Sequence, residues 1–61
     1  MGLYAKVRDE LPDEFSIFQL MAVLEMDETD FHEARNILKQ WTKINGGLIK
    51  RISKNMYRKI K

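Results

Sequence analysis

The stretch Phe15-Ser16-Ile17-Phe18-Gln19-Leu20-Met21-Ala22-Val23-Leu24-Glu25-Met26-Asp27-Glu28-Thr29-Asp30-Phe31 decides the fold. Ser16 is a good helix N-cap, because its hydroxyl accepts a backbone N–H that the first helical turn leaves free. From Ile17 to Glu25 the chain is apolar on most sides, with Phe18, Leu20, Met21, Ala22, Val23 and Leu24. So short and apolar a helix is expected at the buried centre of a domain. Met26-Asp27-Glu28 interrupts the pattern only briefly. Asp27 reads as the next N-cap, with Glu28 and Asp30 in a first turn where negative charge suits the helix dipole. Two helices joined by a tight turn are therefore expected here.

Towards the C-terminus, Phe31, Ala34, Leu38, Trp41 and Asn45 follow steps of three and four, a helical face. Asn45-Gly46-Gly47 ends that helix, since glycine accepts the left-handed backbone common at helix C-termini. Towards the N-terminus, Leu3, Val7 and Leu11, with Tyr4 beside them, form the stripe of a short amphipathic helix. Pro12 cannot continue it, and Asp13-Glu14 reads as a polar connection. After Gly47 the period changes. Leu48–Ile52 and Met56–Ile60 are β-prone runs around the turn-forming Ser53-Lys54-Asn55. A two-residue turn at Lys54-Asn55 sets Ile49 opposite Ile60, Arg51 opposite Arg58 and Ser53 opposite Met56. Both faces of that hairpin are mixed, so the pattern leaves open which one packs on the helices.

The expected class is α+β, mainly α, as a single domain over residues 1–61. Helix 1 spans about 2–11, helix 2 about 17–25, helix 3 about 28–44 and a C-terminal hairpin about 48–60. Sixty-one residues leave room for one core only. There is no cysteine, which excludes disulfides and thiolate metal sites. The longest apolar run, Phe18–Leu24, contains Gln19 and is far short of the ~20 residues of a membrane span. No signal peptide is visible, and a cytoplasmic location is expected.

The net charge of +2 hides a strong asymmetry. Residues 1–30 carry two basic and eight acidic side chains, a net −6, whereas residues 31–61 carry nine basic side chains against Glu33 alone, a net +8. Such segregation points to a polyanion-binding surface.

Three helices with a tight turn between the second and third, followed by a basic hairpin, is the element order of a winged helix-turn-helix domain. The residues from Phe15 to Ile60 resemble that family, in its bacterial and phage repressor form. Phe15-Ser16 resembles the aromatic and N-cap pair that opens its second helix, and Leu20, Met21, Leu24 and Met26 its apolar core positions. Phe31, Ala34 and Leu38 resemble the buried face of the recognition helix. Gly47-Leu48-Ile49 is similar to the start of the wing, and Tyr57-Arg58 to the aromatic-basic pair of its second strand. Three departures stand out: Glu25 where glycine is usual in the turn, Arg35 where an apolar residue is common, and a third helix about one turn longer.

The resemblance implies duplex DNA as partner, with helix 3 in the major groove and the wing on the backbone. At ~100° per residue, the face opposite Phe31, Ala34, Leu38 and Trp41 carries Thr29, His32, Glu33, Asn36, Gln40 and Lys43, with Lys39 beside it. Thr29, His32, Asn36 and Gln40 are the candidates for base contact, and an Asn or Gln amide can bond two groups of an adenine edge. The competing reading is a solvated helix face. Lys39, Lys43, Lys50, Arg51, Lys54, Arg58 and Lys59 are the candidates for phosphate contact, and Lys61 makes six cations in the last fourteen residues. Lysines on edge strands also block unwanted pairing, which is the alternative for the hairpin. Arg35 is within reach of Glu28 or Asp30.

His32 is the only histidine, and no metal site is expected. Trp41 and Phe31 belong to the core, while Phe18 either extends the core or marks a partner contact. No activated nucleophile, phosphate-binding glycine loop or spaced carboxylate pair is present, so neither catalysis nor a cofactor nor a small-molecule ligand is expected. The expected function is a small DNA-binding domain for transcription regulation or phage or plasmid DNA control, nucleoid-associated where it binds. The alternative is a winged-helix protein–protein interaction module. Leu3, Tyr4 and Val7 also permit a homodimer through helix 1.

Overall fold

The computed structural model describes residues 2–61; Met1, the first residue of the expected domain, lies outside them. Ser16 closes a capping box at the head of the central helix. Its Oγ accepts from the Gln19 amide at 3.1 Å, and Gln19 Oε1 accepts from the Ser16 amide at 2.8 Å. That helix, α2, spans Ile17–Val23; before it lie α1 (Leu3–Val7), a 3-10 turn (Arg8–Glu10) and β1 (Glu14–Ser16). After it come a 3-10 turn (Glu28–Asp30), α3 (Phe31–Trp41), a 3-10 turn (Ile44–Gly46), β2 (Ile49–Ser53) and β3 (Met56–Lys59). The described residues form an α+β fold: three helices and a three-stranded antiparallel sheet in the order β1-β3-β2.

Asp27 caps as expected, but what it caps is the 3-10 turn that leads into α3. Its carboxylate accepts from the Thr29 amide at 3.1 Å, and the Asp30 carboxylate returns the bond to the Asp27 amide at 3.2 Å. The third helix is accordingly shorter than 28–44, with tighter turns at both ends. Asn45 leaves the expected helical face altogether, because its φ of 53° is left-handed. Gly47 follows at φ 104°, and a Cβ there would come within 3.1 Å of the Thr42 carbonyl oxygen, so glycine fits both the dihedral and the space. The turn after α2 is sharper than its residues suggest. Glu25, standing where glycine would be strain-free, takes φ 58°.

β1 corrects the expected polar connection at Asp13-Glu14. Glu14, Phe15 and Ser16 pair antiparallel with Arg58, Tyr57 and Met56. Three residues are too few to show alternation in the sequence, yet Phe15 is fully buried while Glu14 is exposed. The hairpin also departs from its expected register. Ser53 pairs with Met56 as anticipated, but Arg51 stands opposite Tyr57, Lys50 opposite Arg58 and Ile49 opposite Lys59. An irregularity between Arg51 and Ser53 leaves Ile52 as the extra residue of a β-bulge. Below the bulge every side chain of β2 changes face, which puts Ile49 and Tyr57 on the same, core-facing side.

The core lies between the sheet and the helices. Phe15, Ile17, Leu20, Leu38 and Ile49 are its largest fully buried side chains, each contributing about 1.5–3 kcal/mol of apolar transfer. Phe15 stacks on Tyr57 with ring centres 6.1 Å apart, and Tyr4 meets Trp41 edge-on at 5.1 Å. In α1 the buried residues are Tyr4 and Val7, followed by Leu11, whereas Leu3 is 42% exposed and drops out of the expected stripe. The α1 face that would serve a homodimer is therefore mostly occupied by the domain's own core. Tyr4 also ties the chain's two ends: its hydroxyl donates to the Lys61 carbonyl at 2.8 Å and the Leu48 carbonyl at 3.4 Å.

Candidate nucleic-acid interface

The exposed side of α3 opposite Ala34, Leu38 and Trp41 carries His32, Arg35, Asn36 and Lys39, spaced so that all four share one stripe. β2 runs alongside with Lys50 and Arg51. Between helix and strand lies an open groove of about 660 Å³, lined by these six residues over a floor that includes Ile49 and Tyr57. Four Lys or Arg residues line the groove, and no Asp or Glu among the described residues does.

Charge pairing sharpens this picture. Among the described residues the ion pairs within 4.0 Å are Arg58 with Glu14 and Lys59 with Asp13. Arg35, Lys39 and Arg51 thus face the groove without an acidic partner at that distance, while Lys50, opposite Arg58, borders it from the outer side of the sheet. Their mutual repulsion is tolerable only because they are exposed to water and salt. Arg35 does not pair with Glu28 or Asp30. Its guanidinium lies over the Phe31 ring, 5.8 Å from the centroid, and the Asp30 carboxylate is engaged with the Asp27 amide. Arg35 is not among the expected contact residues, although its spacing from His32 and Lys39 places it on their face.

Five of the expected contact residues therefore line one groove: His32, Asn36, Lys39, Lys50 and Arg51. The others are elsewhere. Thr29 precedes α3, with its hydroxyl donating to the Asp27 carboxylate at 2.6 Å. Gln40 is exposed one turn beyond Asn36, outside the groove, and Lys43 is exposed just past the helix. Lys54 sits in the hairpin turn, which is pinned to the start of α2 by a bond from the Ile17 amide to the Asn55 carbonyl at 3.0 Å. Arg58 points to the outer face of the sheet, where Glu14 holds it.

Lys59 is a correction. Only 15% of its side chain is exposed, and its ammonium donates to the carbonyls of Arg8 at 2.9 Å and Leu11 at 2.8 Å. The sheet register points it inward beside Ile49, so it closes the end of the first helical segment instead of reaching outward to phosphate. Lys61 is likewise engaged, donating to the Asn45 carbonyl at 2.7 Å.

A second, apolar groove of about 460 Å³ lies along α2 and the start of α3. Phe18, Met21, Ala22, Met26 and Phe31 line it, with Asp27 and Glu28 at its edge. Phe18 is 59% exposed and rests on Phe31, with ring centres 5.9 Å apart. Among the described residues no three His, Asp or Glu side chains come together as metal ligands, and no helix is long and apolar enough to cross a membrane. Comparison with protein-family models, with curated proteins and with solved structures returned no match.

Proposed function

We propose that the chain is a small winged helix-turn-helix domain that binds double-stranded DNA, with α3 in the major groove and the hairpin against the phosphate backbone. The observation that carries this reading is the groove between α3 and β2, lined by Arg35, Lys39 and Arg51 with Lys50 at its border, and by no Asp or Glu among the described residues. The element order supports it too, with a strand before α2 returning beside the last strand of the hairpin. Asn36 and His32 stand on the same stripe as Lys39, so a helix seated by phosphate contacts brings an amide and an imidazole to base edges. A role in transcription or in phage or plasmid DNA control, in the cytoplasm and at the nucleoid, belongs to this reading.

Fluorescence anisotropy with a random-sequence duplex tests it. Neutralising four phosphates gives a log–log salt slope of about −3.6. Binding that is absent at low salt, or insensitive to salt, rejects the proposal. The alternative, a winged-helix domain that binds another protein, draws on the apolar groove at Phe18, and a Phe18→Ser variant that binds DNA normally separates that surface from the DNA face.

A further inference from the structure

Tyr57 is buried to all but 8% of its surface, its ring stacked on Phe15. Its hydroxyl has no hydrogen-bond partner among the described residues, although the hydroxyl of Tyr4 has two. Among the described residues no fully buried side-chain polar atom is left without a partner, so the Tyr57 oxygen keeps contact with solvent. Tyr57 is among the residues that line the groove between α3 and β2. A phenol there can donate one hydrogen bond outward. What surrounds it selects the acceptor: Arg35, Lys39, Lys50 and Arg51 line the same groove, and no carboxylate does.

We infer that this groove is a built phosphate site, in which the Tyr57 hydroxyl donates to a phosphate oxygen while Arg51 and Arg35 bind the anion from either side. The ligand chemistry is a phosphodiester or phosphate ester, and a duplex backbone as its source rests on the DNA reading above. Two features prepare the site. The bulge at Ile52 moves Arg51 from its expected place opposite Arg58 to a place opposite Tyr57, on the groove side of the sheet. The Phe31 ring holds the Arg35 guanidinium over its face, so less side-chain freedom is lost when an anion binds. Guanidinium forks pair with phosphate oxygens two at a time, and a neutral hydroxyl between them adds a directed donor without adding charge.

That last property supplies the test. Tyr57→Phe keeps the ring on Phe15 and removes only the donor, so the urea midpoint should not move. Duplex affinity should fall about tenfold on all sequences alike. The salt slope should stay unchanged, because no cation is lost. Arg51→Gln should instead flatten the slope by about 0.9. In a second arm, inorganic phosphate and pyrophosphate are titrated into the protein alone and followed by NMR. Millimolar additions should shift the resonances of Tyr57, Arg35 and Arg51, more weakly in either variant.

Unchanged duplex affinity in Tyr57→Phe, with no phosphate-induced shift in the groove, overturns the inference while leaving DNA binding intact. Phosphate shifts in the groove without duplex binding uphold the phosphate site and reject the DNA reading, leaving a free phosphate ester as the ligand. Shifts confined to Lys43 or Lys54 overturn the inference. Should Tyr57→Phe fail to fold, Arg51→Gln read through the Tyr57 ring resonances decides the matter.

Discussion

Replacing Lys59 with methionine distinguishes two roles for one cation. The substitution keeps the length of the side chain and removes its charge and donors. The structure gives the ammonium two carbonyl acceptors, at 2.9 Å on Arg8 and 2.8 Å on Leu11, and sets it 3.9 Å from the Asp13 carboxylate. Asp13 is 95% exposed, so that pair contributes little, at most about 0.5 kcal/mol. The carbonyls matter more, since a hydrogen bond from a charged donor is worth about 1.5–3 kcal/mol. The Arg8 oxygen also receives the Leu11 amide at 3.3 Å and is within reach of water, so its share falls at the low end or below. A combined loss of about 2–3 kcal/mol follows. A domain of this length has only about 3–9 kcal/mol in all. With a urea dependence of about 1 kcal/mol per molar, the midpoint should drop by roughly 2–3 M. The salt slope of DNA binding, measured in the cold where the variant stays folded, should not change. A midpoint shift below about 0.5 M together with a slope flatter by about 0.9 would refute this reasoning and return Lys59 to the phosphate contacts.

Three further outcomes are expected. Glu25→Gly relieves a left-handed backbone at φ 58° worth about 1 kcal/mol, less the extra freedom glycine gains when unfolded, so thermal melting should rise by up to about 5 °C. Tyr4→Phe keeps the edge contact with Trp41 but removes the 2.8 Å bond to the Lys61 carbonyl, and calorimetry should show a loss of about 1 kcal/mol. Asn36→Ala should change which sequence is enriched in a selection from random duplexes, whereas Lys39→Gln should weaken all sequences equally and flatten the salt slope by about 0.9.

The helices were legible in the sequence because their signals are chemical and local. Ser16 and Asp27 cap where their side chains reach free amides, Pro12 forces Leu11 into an extended conformation, and Gly46-Gly47 ends the third helical segment. The sheet was legible only in part. A strand as short as Glu14–Ser16 has one inward residue and therefore no period to detect. In the hairpin a single bulged residue reverses the alternation partway along β2, and even so the inward face carries Arg51 and Lys59 beside Ile49 and Tyr57, so the pattern holds no apolar face to read. Of the candidate site, the charge segregation and the stripe His32, Asn36 and Lys39 were visible, because helical spacing alone brings those residues together. One reason accounts both for Lys59, which reads as an outward cation, and for Tyr57, which reads as part of the wing's aromatic-basic pair and not as a site residue. Both depend on which way a strand faces, and that is settled by the bulge and by the pairing of β3 between its two neighbours.

The short strand β1 also governs how the domain comes into being. Among the described residues it pairs with β3 alone, so Phe15 waits for Tyr57, and the Tyr4 hydroxyl waits for a carbonyl fifty-seven positions away. Helical segments can flicker into existence as they emerge, but loop closure must be met before the sheet returns anything for it. No central fragment is self-sufficient: without β3, Phe15 has no pairing partner and lacks the Tyr57 ring it stacks on. Formation is accordingly expected to be a single cooperative event completed by the last strand, with the basic groove assembled in that same step.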